Sequence, residues 1–131
     1  MVNNQHYALL LGLFKGDRFA YARALYAPNV SVSVIIKRSI EDLRCYEDLD
    51  KSYIVTIGTG NEVEIGGVCV FDRAVIDGNL IELPSVIHVA EDLGQIKEFE
   101  AIIGADLIFY WGLNYNPFLR VLSSRIAKKI W

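Results

Sequence analysis

The residues that could do chemistry are few and scattered. Gly58-Thr59-Gly60-Asn61 has the glycine spacing of a phosphate loop, but a dinucleotide fingerprint needs a helix opening directly behind it. The following "NEVEIGGVCVF" alternates like a strand, which makes these glycines a hairpin tip. His6 and His88 lack Cys or acidic neighbours at metal-ligand spacing, so no metal and no cofactor is expected. No serine sits in a nucleophile elbow, and neither Cys45 nor Cys69 has a histidine in a recognisable arrangement. Asp48 and Asp50 read as a solvated face. One stretch remains: "ALYAPNVSVSVI", residues 24–35, where Ala27-Pro28-Asn29 precedes an alternation of valines (30, 32, 34) with Ser31 and Ser33.

The whole-chain numbers narrow the classes. At 131 residues the chain reads as one domain, 1–131, with a core over about 7–123 and a tail over 124–131. Its apolar fraction of 53% exceeds the ~45–50% of soluble domains. Such an excess points to apolar surface that self-association would cover. No apolar run approaches the ~20 residues a membrane helix needs, and the start has neither a basic leader nor a small-residue cleavage site. No membrane partner and no signal peptide are therefore expected. Two cysteines make no disulfide framework, which sets a reducing, cytoplasmic location as the default. A net charge of −3 argues against a general nucleic-acid binder; only "RVLSSRIAKKIW" is locally basic. That tail reads as a solvated end or a pairing strand.

The elements available to position the 24–35 stretch are mainly strands. "YALLLGLF" and "RFAYARALY" flank the turn Lys15-Gly16-Asp17, with Phe19, Tyr21 and Leu25 on one face and Ala20, Ala22 and Ala24 on the other. Val30–Ile36 is expected to be a third extended piece. "SIEDLRCYEDL" spaces Ile40, Leu43 and Leu49 as in a helix, with Ser39 and Asp42 as a capping box. "YIVTI" and "EVEIGGVCVF" form the glycine-tipped hairpin, with Gly66-Gly67 as a bulge or a close backbone contact. "RAVI" and "LIEL" turn at Asp77-Gly78-Asn79, and "SVIHV" follows, with His88 as a partly buried strand residue. "EAIIGADLIFYWGLNYN" reads as a buried strand, a glycine and one or two helical turns ending near Gly112. A last hairpin turns around Asn116-Pro117. The fold class is all-β, with one or two short helices.

This order of elements resembles the retropepsin-like aspartic proteases, over roughly residues 7–123. The most specific piece is "IIGADLI", residues 102–108: Ile102-Ile103-Gly104 with Asp106 is similar to the hydrophobic-hydrophobic-glycine motif and the helix that follows it. "ALYAPNVSVSVI" is similar to the catalytic segment, where an apolar pair leads to Asp-Thr/Ser-Gly and then a serine-containing strand. The resemblance implies a β-barrel closed by homodimerisation. It places Gly58, Thr59, Gly60 and Asn61 near the tip of a substrate-covering flap, and Ser31 on the serine after the loop.

On that alignment Ala27 stands at the catalytic aspartate, Pro28 at the Thr/Ser and Asn29 at the glycine. In the family two aspartates, one per subunit, share a proton because like charges so close cannot both ionise cheaply. Alanine can neither take nor give that proton, and losing a positioned acid or base typically costs ~10²–10⁴ in rate. No Asp-Thr-Gly or Asp-Ser-Gly occurs anywhere in the chain. Ala105 also stands where the retroviral branch has an arginine that ties helix to loop. The resemblance thus implies a homodimeric aspartic-protease homologue without its catalytic aspartate, either a peptide- or protein-binding module or a dimerisation unit. The alternative is an aspartic endopeptidase whose motif was altered by deliberate substitution.

Overall fold

The computed structural model describes residues 8–130. The strand β1 (Ala8–Lys15) turns at Gly16-Asp17 into β2 (Arg18–Tyr26), pairing from Lys15–Arg18 to Ala8–Leu25. The alternation in β2 works as its sequence predicts: Ala20, Ala22 and Ala24 are buried while Phe19 and Tyr21 face outward. Small side chains there let the rest of the core approach closely. His6 lies outside the described residues.

Next come β3 (Val34–Ile36), a 3₁₀ segment (Lys37–Leu43), and the long hairpin of β4 (Tyr46–Thr56) and β5 (Glu62–Phe71). The third extended piece is shorter than expected. Residues 27–33 are a loop, because the Val30 carbonyl accepts a hydrogen bond from Ala105 N–H instead of joining a ladder. The helix expected over 39–49 is corrected too. The 3₁₀ segment buries only Ile40 and Leu43, has no side-chain cap at Ser39, and ends at Arg44 in the left-handed region, so Leu49 lies on a strand. Directly after that turn, Cys45 is disulfide-bonded to Cys69 of β5. The reading of two unconnected thiols is therefore wrong: residues 24 apart in sequence become adjacent because β5 folds back past the start of β4. At Gly67 the backbone packs against the Tyr46 ring where a side chain would collide, and the β5 register shifts between Ile65 and Gly67.

The chain continues through β6 (Arg73–Ile76), β7 (Asn79–Ile81), β8 (Ser85–Ala90), β9 (Ala101–Ile103), the helix α1 (Ala105–Tyr110), β10 (Leu113–Asn116), β11 (Val121–Ser124) and β12 (Lys128–Lys129). Ten strands form one sheet in the order β12-β7-β6-β1-β2-β9-β3-β8-β5-β4, while β10 and β11 form a separate hairpin. The protein is mostly β. The tail does act as a pairing strand, on β7 of its own chain, where Lys128 faces Leu80. No helix is long and apolar enough to cross a membrane, among the described residues.

Two cores result. The larger gathers Leu9, Leu11, Leu13, Phe71, Ile87 and Trp111; Trp111 is fully buried, meets Phe71 edge-on and donates its indole N–H to Ser85 Oγ at 2.9 Å. The smaller lies beneath the 27–33 loop and the β4–β5 hairpin and includes Ala27, Val30, Ile57, Val63, Ile65 and Ile102.

Candidate functional site

The loop 27–33 is held in place by a second crossing of the chain. β9 lies between β2 and β3, parallel to β2 (Leu25 beside Ile102) and antiparallel to β3. Ala27 N–H donates to Ile103 O at 2.9 Å, and Ala105 N–H donates to Val30 O at 2.7 Å. Between these bonds Gly104 runs so close to the loop that a β-carbon would stand 2.5–2.6 Å from the Val32 and Val30 carbonyl oxygens. Only glycine fits that crossing.

The most polar part of the assembly is Ser33. Fully buried, it accepts from Gly104 N–H at 2.8 Å and donates to Asp106 Oδ1 at 2.6 Å. Asp106 also accepts from Leu107 N–H at 2.7 Å, within the first turn of α1. His88 on β8 donates its backbone N–H to Ser33 O at 3.1 Å, and its Nδ1 stands 3.2 Å from the same oxygen and 3.9 Å from Asp106 Oδ2. The Tyr53 ring meets His88 edge-on; burial, and then the Asp106 charge, push the Tyr53 hydroxyl above its ordinary pKa.

Serine, histidine and aspartate meet here, as in a catalytic triad, but with the wrong connections. The hydroxyl donates to the carboxylate and not to the imidazole, and it is sealed from solvent, so it cannot act as an activated nucleophile. The cluster fixes the loop to α1. At the loop's apex Pro28 and Asn29 are exposed and Ala27 is buried, so residues 27–33 offer no acid, base or nucleophile but the exposed Ser31.

No protein-family model matches the chain, and no curated protein matches it. Among solved structures, it is similar to the retroviral protease-like domain of Ddi1 from Leishmania major. The TM-score is 0.62 at 16% identity, over 95% of this chain and 93% of that one. The chain has a retropepsin-like fold. It is also similar to a retropepsin-like aspartic protease from Rickettsia conorii, at TM-score 0.43 and 14% identity over 88% and 91% of the two chains, a likeness that carries no argument.

Within the retropepsin-like fold the residues singled out from sequence fall into two groups. Ile103, Gly104 and Asp106, with Ile102 beside them on β9, are tied by the bonds above to Ala27 and Ser33 of the loop, while no such bond reaches Pro28 or Asn29 among the described residues. Gly58, Thr59 and Gly60 are exposed at the tip of the β4–β5 hairpin, with both glycines at positive φ. Asn61 is not available to a ligand at that tip. It is 5% exposed and its amide donates to Leu93 O and accepts from Gln95 N–H, which staples the 93–95 loop to the hairpin. Ser31 is exposed, and the hydroxyl that ties loop to helix belongs to Ser33. Sequence reasoning missed Ser33 and His88 as partners of Asp106. Strand-like alternation put Ser31 and Ser33 on one face, and only the loop's departure from a strand separates them.

Proposed function

We propose that this chain is a catalytically inactive retropepsin-like module, homodimeric, that holds an extended peptide or protein segment. The observation that carries the reading is the loop at Ala27-Pro28-Asn29: fully braced by β9, Gly104 and Ser33, yet without a carboxylate. Asp106 is the nearby acid, and its Oδ1 is engaged by Ser33 and Leu107. The exposed β4–β5 tip would act as the flap. An extended segment beneath it could add main-chain hydrogen bonds, with side-chain pockets supplying selectivity.

Apolar surface beside the loop supports pairing with a second copy. A recess of about 500 Å³ lined by Pro28, Ala105, Ile108, Phe109 and Leu113 adjoins the β10–β11 hairpin. At the tip of that hairpin Phe118 and Leu119 are 94% and 71% exposed. The Cys45–Cys69 bond fits an oxidising setting better than the cytoplasmic one expected from sequence.

The test is proteolysis of a degenerate peptide library from acid to neutral pH. No cleavage is expected, and pepstatin-sensitive cleavage would overturn the reading. Sedimentation should show a dimer at micromolar concentration. Phe118→Glu with Leu119→Glu should convert it to monomer while changing stability by no more than about 0.5 kcal/mol per site, as expected for exposed positions. A wild-type monomer would refute the dimer.

A further inference from the structure

Asn29-Val30-Ser31, at the apex of the 27–33 loop, is an Asn-x-Ser triplet with a centre other than proline, the acceptor pattern for an N-linked glycan. Of the seven asparagines in the chain, only Asn29 has a serine or threonine two positions on. Such triplets also arise by chance, so what the fold does with this one decides whether it counts. Asn29 and Ser31 are both exposed, and neither side chain is bonded to any other of the described residues. Val30 between them is buried in the smaller core, its N–H donating to Ala27 O at 3.0 Å and its carbonyl accepting from Ala105. The two ends of the triplet therefore face outward from a backbone that is pinned at its centre. Other asparagines of the chain are spent on the fold. Asn61 and Asn79 are buried and bonded, and Asn116 accepts from the Phe118 and Leu119 N–H groups.

An acceptor triplet matters only in a chain that passes through an oxidising compartment, and a separate feature of this one fits such a passage. Both cysteines of the chain are spent in the Cys45–Cys69 bond, and no free thiol remains. Structural disulfides persist in secreted and lumenal proteins and are rare in the cytosol. The two features are independent in the structure: the bond lies in the larger core, the triplet over the smaller.

We propose that Asn29 is an N-glycosylation site. The co-reactant is an oligosaccharide carried on a lipid pyrophosphate. Asn29 Nδ2 bonds to the anomeric carbon of the first sugar as that carbon's bond to the pyrophosphate oxygen breaks. The pyrophosphate leaves with the bonding electron pair, Nδ2 gives up one proton, and nothing is oxidised or reduced. Ser31 supplies the hydroxyl of the acceptor pattern. A bulky, hydrophilic group attached there stands next to Pro28, on the edge of the recess where pairing with a second copy is proposed. The glycan would thus keep the modified chain monomeric, a consequence that rests on the dimer reading, whereas the attachment itself does not.

The experiment directs the full chain into the secretory pathway of cultured eukaryotic cells and weighs it intact, before and after an amidase that releases N-glycans. The mass of one oligosaccharide is expected, removed by the amidase with Asn29 converted to aspartate. Asn29→Gln and Ser31→Ala should each lose that mass, and Ser31→Thr should keep it; both positions are exposed, and melting curves verify that the variants fold. No added mass, a mass that survives Asn29→Gln, or modification confined to chains that fail to fold would overturn the proposal. So would a bare Asn29 in the chain recovered from its native cells. Sedimentation separates the two readings. A modified monomer beside an Asn29→Gln dimer supports both, and a modified dimer overturns the blocking role. A monomeric Asn29→Gln chain refutes the dimer alone, because the added mass still decides the site.

Discussion

In excess reductant the chain should melt about 10 °C lower than in oxidising buffer. Cys45 and Cys69 are both essentially inaccessible, 1% and 0% exposed, and their bond encloses all of β4 and β5 as far as Cys69. Cross-linking residues this far apart restricts the unfolded chain by roughly 3 kcal/mol. In a domain of this size each kcal/mol moves the midpoint by roughly 3–5 °C. Cys45→Ala with Cys69→Ala should show the lower midpoint in oxidising buffer and no further response to reductant. The first part to loosen should be the hairpin, since Tyr46–Thr56 is the outermost strand of its sheet and its outer residues have few buried contacts. Identical melting of the unsubstituted chain in both buffers would mean that the thiols are not bonded in solution.

Gly104→Ala is expected to be comparably damaging, by about 3 kcal/mol. The added methyl would meet two backbone carbonyl oxygens, at Val30 and Val32, and neither is the end of a side chain that could swing away. Overpacking of this kind typically costs ~1–3 kcal/mol. Here the displaced Val30 carbonyl is also the acceptor for Ala105 N–H, and the displaced Gly104 N–H is the donor to Ser33. Losing those buried bonds adds to the steric cost. Denaturant unfolding measures the difference directly. A change below about 0.5 kcal/mol would show that loop and β9 can separate without cost, and the bracing described here would be wrong. Ala105→Gly, one residue on and exposed, serves as the control.

Much of the fold was legible because its strands obey local rules. The β1–β2 hairpin is set by Gly16 and by alanines alternating with aromatics; the β4–β5 and β6–β7 turns are set by Gly58-Thr59-Gly60 and Asp77-Gly78. These signals lie within a few residues of what they specify. The misreadings all involve partners far away in sequence. Leu49 fitted a helical spacing, but the Cys45–Cys69 bond and pairing with β5 place it on a strand. Val30–Val34 alternates as a strand, yet a carbonyl claimed by Ala105 keeps Val30–Ser33 in a loop and the strand begins only at Val34. Ser33 looked like any strand serine until Asp106 and Gly104 closed on it across more than 70 positions. The candidate site was legible in outline because "IIGADLI" is a compact string. Which serine it binds was not, because that depends on the depth of the loop.

The insertion of β9 between β2 and β3 also sets the order in which the molecule can be made. β2 and β3 are finished early but stay unjoined until Ala101–Ile103 has been synthesised. Adding the roughly 65 residues from the end of β3 to the end of β9 takes about 3–13 s at ~5–20 residues per second. Throughout that interval the inner edges of both strands lie open to any extended chain nearby. A transcript or protease that stops the chain before Ala101 would leave them open permanently. The smallest piece that can join β2 to β3 therefore ends beyond β9, and the nascent protein is most exposed to misassembly while its middle is being built.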